Sequence, residues 1–101
     1  AGFHPAKGGS IPPGTAIFMT FYVYMLKCTT YNNRLTYIGY TNNLKARILK
    51  HNTGKGAKFT KGKFWKLIYK KKFLSKSEAM KYEYFLKNNQ KMRSEIFNNS
   101  L

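Results

Sequence analysis

The chain has 101 residues, room for one small core, and its 43% apolar and 17% aromatic content is that of a folded domain rather than a disordered basic tail. Nineteen lysines and arginines against three glutamates and no aspartate give a net charge of +16, which repels itself unless the partner is a polyanion: nucleic acid first, an anionic membrane surface second. Three carboxylates and two histidines exclude the acidic clusters of two-metal enzymes and any multi-histidine metal site.

Residues 1–18 hold all three prolines and four of the eight glycines and have no hydrophobic period. They read as a flexible leader, or as an artificial extension, ahead of one domain over residues 19–101; an arm lying on the domain or its ligand is the alternative. No apolar core of a signal peptide occurs there, and no run anywhere approaches the roughly 18 residues of a membrane span. Residues 21–26, Phe-Tyr-Val-Tyr-Met-Leu, form an apolar, aromatic and β-branched run suited to a strand buried on both faces. The single cysteine, Cys28, cannot close an internal disulfide or build a cysteine-based zinc site, so a reducing compartment, the cytoplasm, is expected. Residues 29–34, with Asn32-Asn33, predict a turn, and residues 35–40 a second strand, making an antiparallel hairpin. Gly39 permits a close backbone approach.

Thr41-Asn42-Asn43 supplies cap side chains for a helix over residues 44–52, ended by Gly54. Leu44, Arg47, Ile48 and His51 share one face of it. Residues 53–63 alternate glycine, lysine and small residues and predict a loop. Residues 65–73 alternate, with Trp65, Leu67, Tyr69 and Phe73 on one side and Lys66, Ile68, Lys70 and Lys72 on a wet, basic side. Ser75 to Glu78 is a capping box that opens a helix through residue 88, with Ala79, Tyr82, Glu83 and Leu86 inward. Residues 90–97 predict a short last helix carrying Met92, Ile96 and Phe97. The order ββαβαα is an α+β fold, a small three-stranded antiparallel sheet flanked by helices.

Few residues can carry chemistry, and each has a bland reading beside a functional one. Glu78 is used by its capping box and Glu95 lies near a frayed end, whereas Glu83 falls on an apolar stripe. A carboxylate there pairs with one of the many cations or holds a metal ion. Arg47 and His51, one turn apart, are either polar groups at the rim of the core or a phosphate clamp and a proton acceptor. Tyr22, Tyr24, Tyr37 and Tyr40 crowd the hairpin, as packing or as phenols whose proton is loosened by nearby cations. From Lys55 to Lys76 there are nine lysines and no acid, with Phe59, Phe64, Trp65 and Tyr69 among them. That is a surface for phosphates and unpaired bases rather than for a bilayer, because the charge lies on a loop and a strand instead of an amphipathic helix.

Tyr22-Val23-Tyr24, twelve intervening residues and Tyr37-Ile38-Gly39 together resemble the paired motifs of the GIY-YIG endonucleases. Residues 37–63, YIGYTNNLKARILKHNTGKGAKFTKGK, and the stretch from Ser77 through Glu83 to Lys87 are similar to the small stand-alone bacterial members. The resemblance runs from about residue 21 to residue 91. It implies Tyr24 and Tyr37 as motif tyrosines, one of them the general base, and Arg47 as the arginine that stabilises charge on the scissile phosphate. It also implies His51 as an aid to proton transfer, Glu83 as the ligand of one Mg²⁺ or Mn²⁺ ion, and Gly39 as the glycine that brings the strand close to the site. Tyr22 stands where the name-giving glycine would be, and which of Asn88, Asn89, Asn98 and Asn99 matches the family asparagine stays open. The reading is therefore a metal-dependent DNA endonuclease, with Lys55, Lys58, Lys61 and Lys63 tracking the backbone. Its rivals are a non-catalytic nucleic-acid-binding module on the same scaffold and a nuclease subunit that needs a partner. Larger members add a DNA-recognition domain; here target choice is expected from a protein partner, from DNA structure or from weak intrinsic preference.

Overall fold

The computed structural model of the chain describes residues 20–30 and 34–101. The leader expected over residues 1–18 and the Asn32-Asn33 turn lie outside them. In chain order the elements are β1 (Phe21–Cys28), β2 (Thr36–Thr41), α1 (Leu44–Asn52), a 3-10 turn (Lys58–Thr60), β3 (Trp65–Phe73), α2 (Lys76–Lys87) and α3 (Gln90–Asn99). The strands make one antiparallel sheet in the order β2-β1-β3, so the fold is α+β with the expected ββαβαα succession.

The apolar run at residues 21–26 becomes the central strand because only a strand paired on both edges and covered on both faces buries it. Val23, Tyr24, Met25 and Leu26 are all at most 1% exposed. Their alternation splits the interior in two. Val23 and Met25 pack with Ile38 and with Ala79 and Leu86 of α2, joined by Met92 and Ile96 of α3. Tyr24, Leu26 and Cys28 pack with Trp65 on the opposite face, under Leu44 and Ile48 of α1.

Capping residues set the helix bounds. The Asn43 side chain accepts from the Ala46 amide at 3.2 Å, and α1 begins at the next residue. Ser75 accepts from the Glu78 amide at 3.1 Å, as the capping box requires, and Asn89 accepts from Met92 at the start of α3. Among the described residues no helix is long and apolar enough to cross a membrane.

One expectation is corrected. The even alternation of residues 65–73 does not put Trp65, Leu67, Tyr69 and Phe73 on one side. The β1–β3 register shifts between Met25 and Leu26: Met25 faces Tyr69, Leu26 faces Leu67, and Ile68 is left over as a bulge. Trp65 and Leu67 therefore enter the Tyr24 core, while Ile68, Tyr69 and Phe73 enter the Val23 core. One extra residue reverses the parity of a strand, so the basic side is not one continuous face, and Ile68 does not share it with the lysines.

Candidate functional site

Tyr24 projects from the middle of β1 and lies directly opposite Gly39 of β2 in the register. A Cβ on residue 39 would sit 2.6 Å from the Tyr24 hydroxyl oxygen and 2.9 Å from Cζ. Glycine is therefore what lets the phenol lie across the edge strand. Around it opens a cleft of about 800 Å³ lined by Tyr24, Tyr37, Gly39, Arg47, Lys76 and Glu83, among others. The cleft straddles the free edge of β2: Tyr37 belongs to the α1 side of the sheet and Tyr40, also at the cleft, to the α2 side. That placement lets α1 contribute Arg47 and α2 contribute Glu83 to one space.

His51 lies behind this wall, fully buried. Its Nε2 is 2.8 Å from the Tyr24 hydroxyl and its Nδ1 is 2.8 Å from Thr60 Oγ1. The Thr60 hydroxyl donates its only proton to the Ala57 carbonyl at 2.7 Å. It can then only accept from His51, so the imidazole carries its proton on Nδ1 and its bare Nε2 receives the Tyr24 O–H. Burial, with the Arg47 charge nearby, pushes the His51 pKa down to about 4. Burial likewise pushes the Tyr24 phenol up to about 12, against the pull of Arg47, which donates to its oxygen. Both groups are neutral at pH 7, with one proton aimed from tyrosine to histidine. Arg47 is held still more firmly in its charged form, first by the bond to Tyr24 and also by Tyr37.

The remaining contacts hold this chain in place. The Tyr37 ring lies 4.8 Å from the His51 ring, centroid to centroid. Trp65 Nε1 donates to the Thr60 carbonyl at 3.0 Å, fixing the 3-10 turn, and Asn52 clasps the Trp65 backbone on both sides, at 2.6 and 3.2 Å. The loop backbone passes so near that a Cβ on Gly56 would lie 2.5 Å from His51 Nδ1.

Glu83 has a cation beside it and also faces the cleft. Its side chain, 19% exposed, lines the cleft, and Oε2 lies 3.6 Å from Lys87 Nζ. That is longer than the roughly 2.7–2.9 Å of a charge-assisted hydrogen bond, and Lys87 is half exposed. Among the described residues no three His, Cys, Asp or Glu side chains come together. A hard divalent cation held by one carboxylate, water and substrate oxygens fits such a set, and Mg²⁺ commonly binds so.

Five candidates, Tyr24, Tyr37, Arg47, His51 and Glu83, thus converge with Gly39, His51 as a buried neighbour rather than a lining residue. Lys55, Lys58, Lys61 and Lys63 do not line the cleft. The first three are exposed on the loop, and Lys63 donates to the Phe59 carbonyl at 3.2 Å with its ammonium 5.4 Å from that ring. Lys76 occupies the cleft instead. Sequence reading placed Lys76 only at the end of the basic run and not at the cleft, and it missed Thr60 and Gly56, for which no local signal exists.

The chain is similar to several known proteins. A family model described as the GIY-YIG catalytic domain matches residues 20–95. The UPF0213 protein OB0043 of Oceanobacillus iheyensis is 51% identical over 67 residues, covering 65% of this chain and 74% of its own length. The UPF0213 protein of Streptococcus pneumoniae serotype 4 is 43% identical over 77 residues, 75% of each. The solution NMR structure of the UPF0213 protein BH0048 from Bacillus halodurans is 41% identical, covers 76% of this chain and 80% of its own, and has a TM-score of 0.45. The GIY-YIG nucleases generally use a divalent metal ion and bind nucleic acid.

Proposed function

Because the chain belongs to the GIY-YIG catalytic domain family, we propose that it is an endonuclease that hydrolyses DNA phosphodiester bonds at the Tyr24–Glu83 cleft. The observation that carries the reading is the directed hydrogen-bond chain from Tyr24 through His51 to Thr60, opening on a cleft that also holds a guanidinium and one carboxylate.

Tyr24 is the general base: its oxygen takes a proton from the attacking water as its own proton passes to His51 Nε2. With the phenol's pKa raised and the imidazole's lowered, a phenolate–imidazolium pair lies well above the resting state. Such a pair is not populated beforehand, so the two transfers accompany the attack. Arg47, charged throughout, donates to the phosphoryl oxygens as negative charge builds on them. Tyr37 packs against His51 and orients the water, and Lys76 adds positive charge to the cleft. Glu83 would hold the divalent ion, Mg²⁺ or Mn²⁺, whose chemistry there is to offset charge on the leaving 3′ oxygen. The products would carry 5′-phosphate and 3′-hydroxyl ends. Work in the cytoplasm on DNA chosen by a partner or by strand structure fits this reading.

The test is to incubate end-labelled single-stranded, duplex and branched DNA with the protein in Mn²⁺, Mg²⁺ or EDTA. Metal-dependent cleavage of at least one substrate supports the reading; retention without cleavage across the panel favours a non-catalytic binder.

A further inference from the structure

Only three of the nineteen cations are arginines, and each lines a depression in the surface. Arg47 lines the cleft. Arg93 lines two smaller depressions of about 250 and 180 Å³, and Arg34 lines the second of them. The first depression shares Tyr37 with the cleft, and the second shares Thr36 with the first. One groove therefore runs from the cleft along β2, the open edge of the sheet, with Lys87 also in its wall.

Both outer arginines are pre-organised. Arg93 Nε donates to the Leu86 carbonyl at 3.1 Å. Arg34 Nη2 donates to Asn98 Oδ1 at 3.1 Å, and its guanidinium lies 4.2 Å from the centroid of the Phe97 ring. A guanidinium anchored through one nitrogen has less freedom to lose, and its other N–H donors match phosphate oxygens in a planar fork, which no lysine ammonium does. From Gly39 to Thr36 the strand covers roughly 10 Å, about three nucleotides along one strand of duplex, and Arg34 lies two residues further on.

We propose that this groove seats the nucleic-acid strand leaving the cleft on one side, with its phosphates held by Arg93 and Arg34. The inference rests on the nucleic-acid reading of the cleft but not on cleavage. It assigns the flanking strand to the β2 edge rather than to the lysine-rich loop, and it gives the substrate a direction across the site.

The test is binding of a labelled 20-base-pair duplex by anisotropy in EDTA, where no metal-dependent cutting occurs, across a range of KCl concentrations. Loss of two phosphate contacts lowers the slope of log affinity against log salt by about 1.8. That is expected of Arg34→Gln with Arg93→Gln, together with a roughly tenfold or greater loss of affinity at 0.1 M salt. Lys81→Gln with Lys91→Gln removes the same charge from exposed positions on α2 and α3 that line neither the cleft nor the groove, and should leave the slope unchanged. Arg34→Lys with Arg93→Lys keeps the charges and should keep the slope while weakening affinity several-fold, which guards against a folding defect in the glutamine pair. A wild-type slope in the arginine-to-glutamine pair, an equal loss in the Lys81/Lys91 pair, or undiminished affinity in the arginine-to-lysine pair overturns the inference. A protein that never cuts DNA yet loses slope in the arginine variant rejects the reaction and keeps the groove; one that cuts with an unresponsive slope does the reverse.

Discussion

Thr60→Val probes the relay where sequence gives no hint of it. The substitution keeps the side-chain volume but deletes the oxygen that accepts from His51 Nδ1 at 2.8 Å inside a fully buried site. Two outcomes are open to the imidazole. It keeps its proton on Nδ1 with no acceptor, at a cost of about 1–3 kcal/mol. Otherwise it moves the proton to Nε2, which turns the acceptor of the Tyr24 proton into a donor and leaves two hydrogens facing each other. The stability loss is thus expected at about 1–3 kcal/mol, read as a fall in midpoint under urea. Cleavage should fall by about 10²–10⁴-fold, the range lost with a general base or a wrong histidine tautomer. Imidazole ¹⁵N shifts of His51 report the tautomer directly: proton on Nδ1 in the wild type, redistributed in Thr60→Val and restored with activity in Thr60→Ser. A variant with the wild-type tautomer and undiminished cleavage would refute the relay.

Gly39→Ala puts a methyl 2.6 Å from the Tyr24 oxygen, opposite a buried core strand, and should cost about 1–3 kcal/mol in stability and at least tenfold in single-turnover cleavage. Glu83→Ala should abolish Mg²⁺- or Mn²⁺-dependent cleavage while DNA binding in EDTA survives; unchanged cutting would remove the metal from this residue. Acid should destabilise the fold through His51. Its pKa is lowered on folding from 6.5 to about 4, so its contribution is complete above pH 6.5 and is lost as pH falls from there to about 4. The total is about 3 kcal/mol. Urea midpoints that fall over that window in the wild type but less steeply in His51→Gln match this, and identical slopes contradict it.

The parts of the fold readable from the sequence are those dictated locally. An unbroken apolar run of six suits a strand covered on both faces, and Asn43 and Ser75 mark helix starts because their side chains serve the first free amides. The bulge at Ile68 escaped because an added residue preserves the visible alternation while reversing which core it enters. In the site, the spacing of the tyrosine motifs and the shared face of Arg47 and His51 were visible, and so was Glu83 as an acid on an apolar stripe. Thr60 and Gly56 were not, since their role comes from a loop folding back onto His51 through Trp65, a contact made only in three dimensions. The loop lysines were legible as charge but not as positions relative to the cleft. Charge density alone does not say which cations face the cleft, and it is Lys76, set at the first turn of α2, that does.

The most direct measurement is single-turnover cleavage of labelled DNA by the wild type and by Tyr24→Phe in Mn²⁺, with binding of both followed by anisotropy in EDTA. Deleting one oxygen that bonds His51 and Arg47 should leave affinity within about threefold and reduce cleavage by about 10²–10⁴-fold. Equal cleavage rates for the two proteins, or a wild type that binds every substrate and cuts none, would contradict the account.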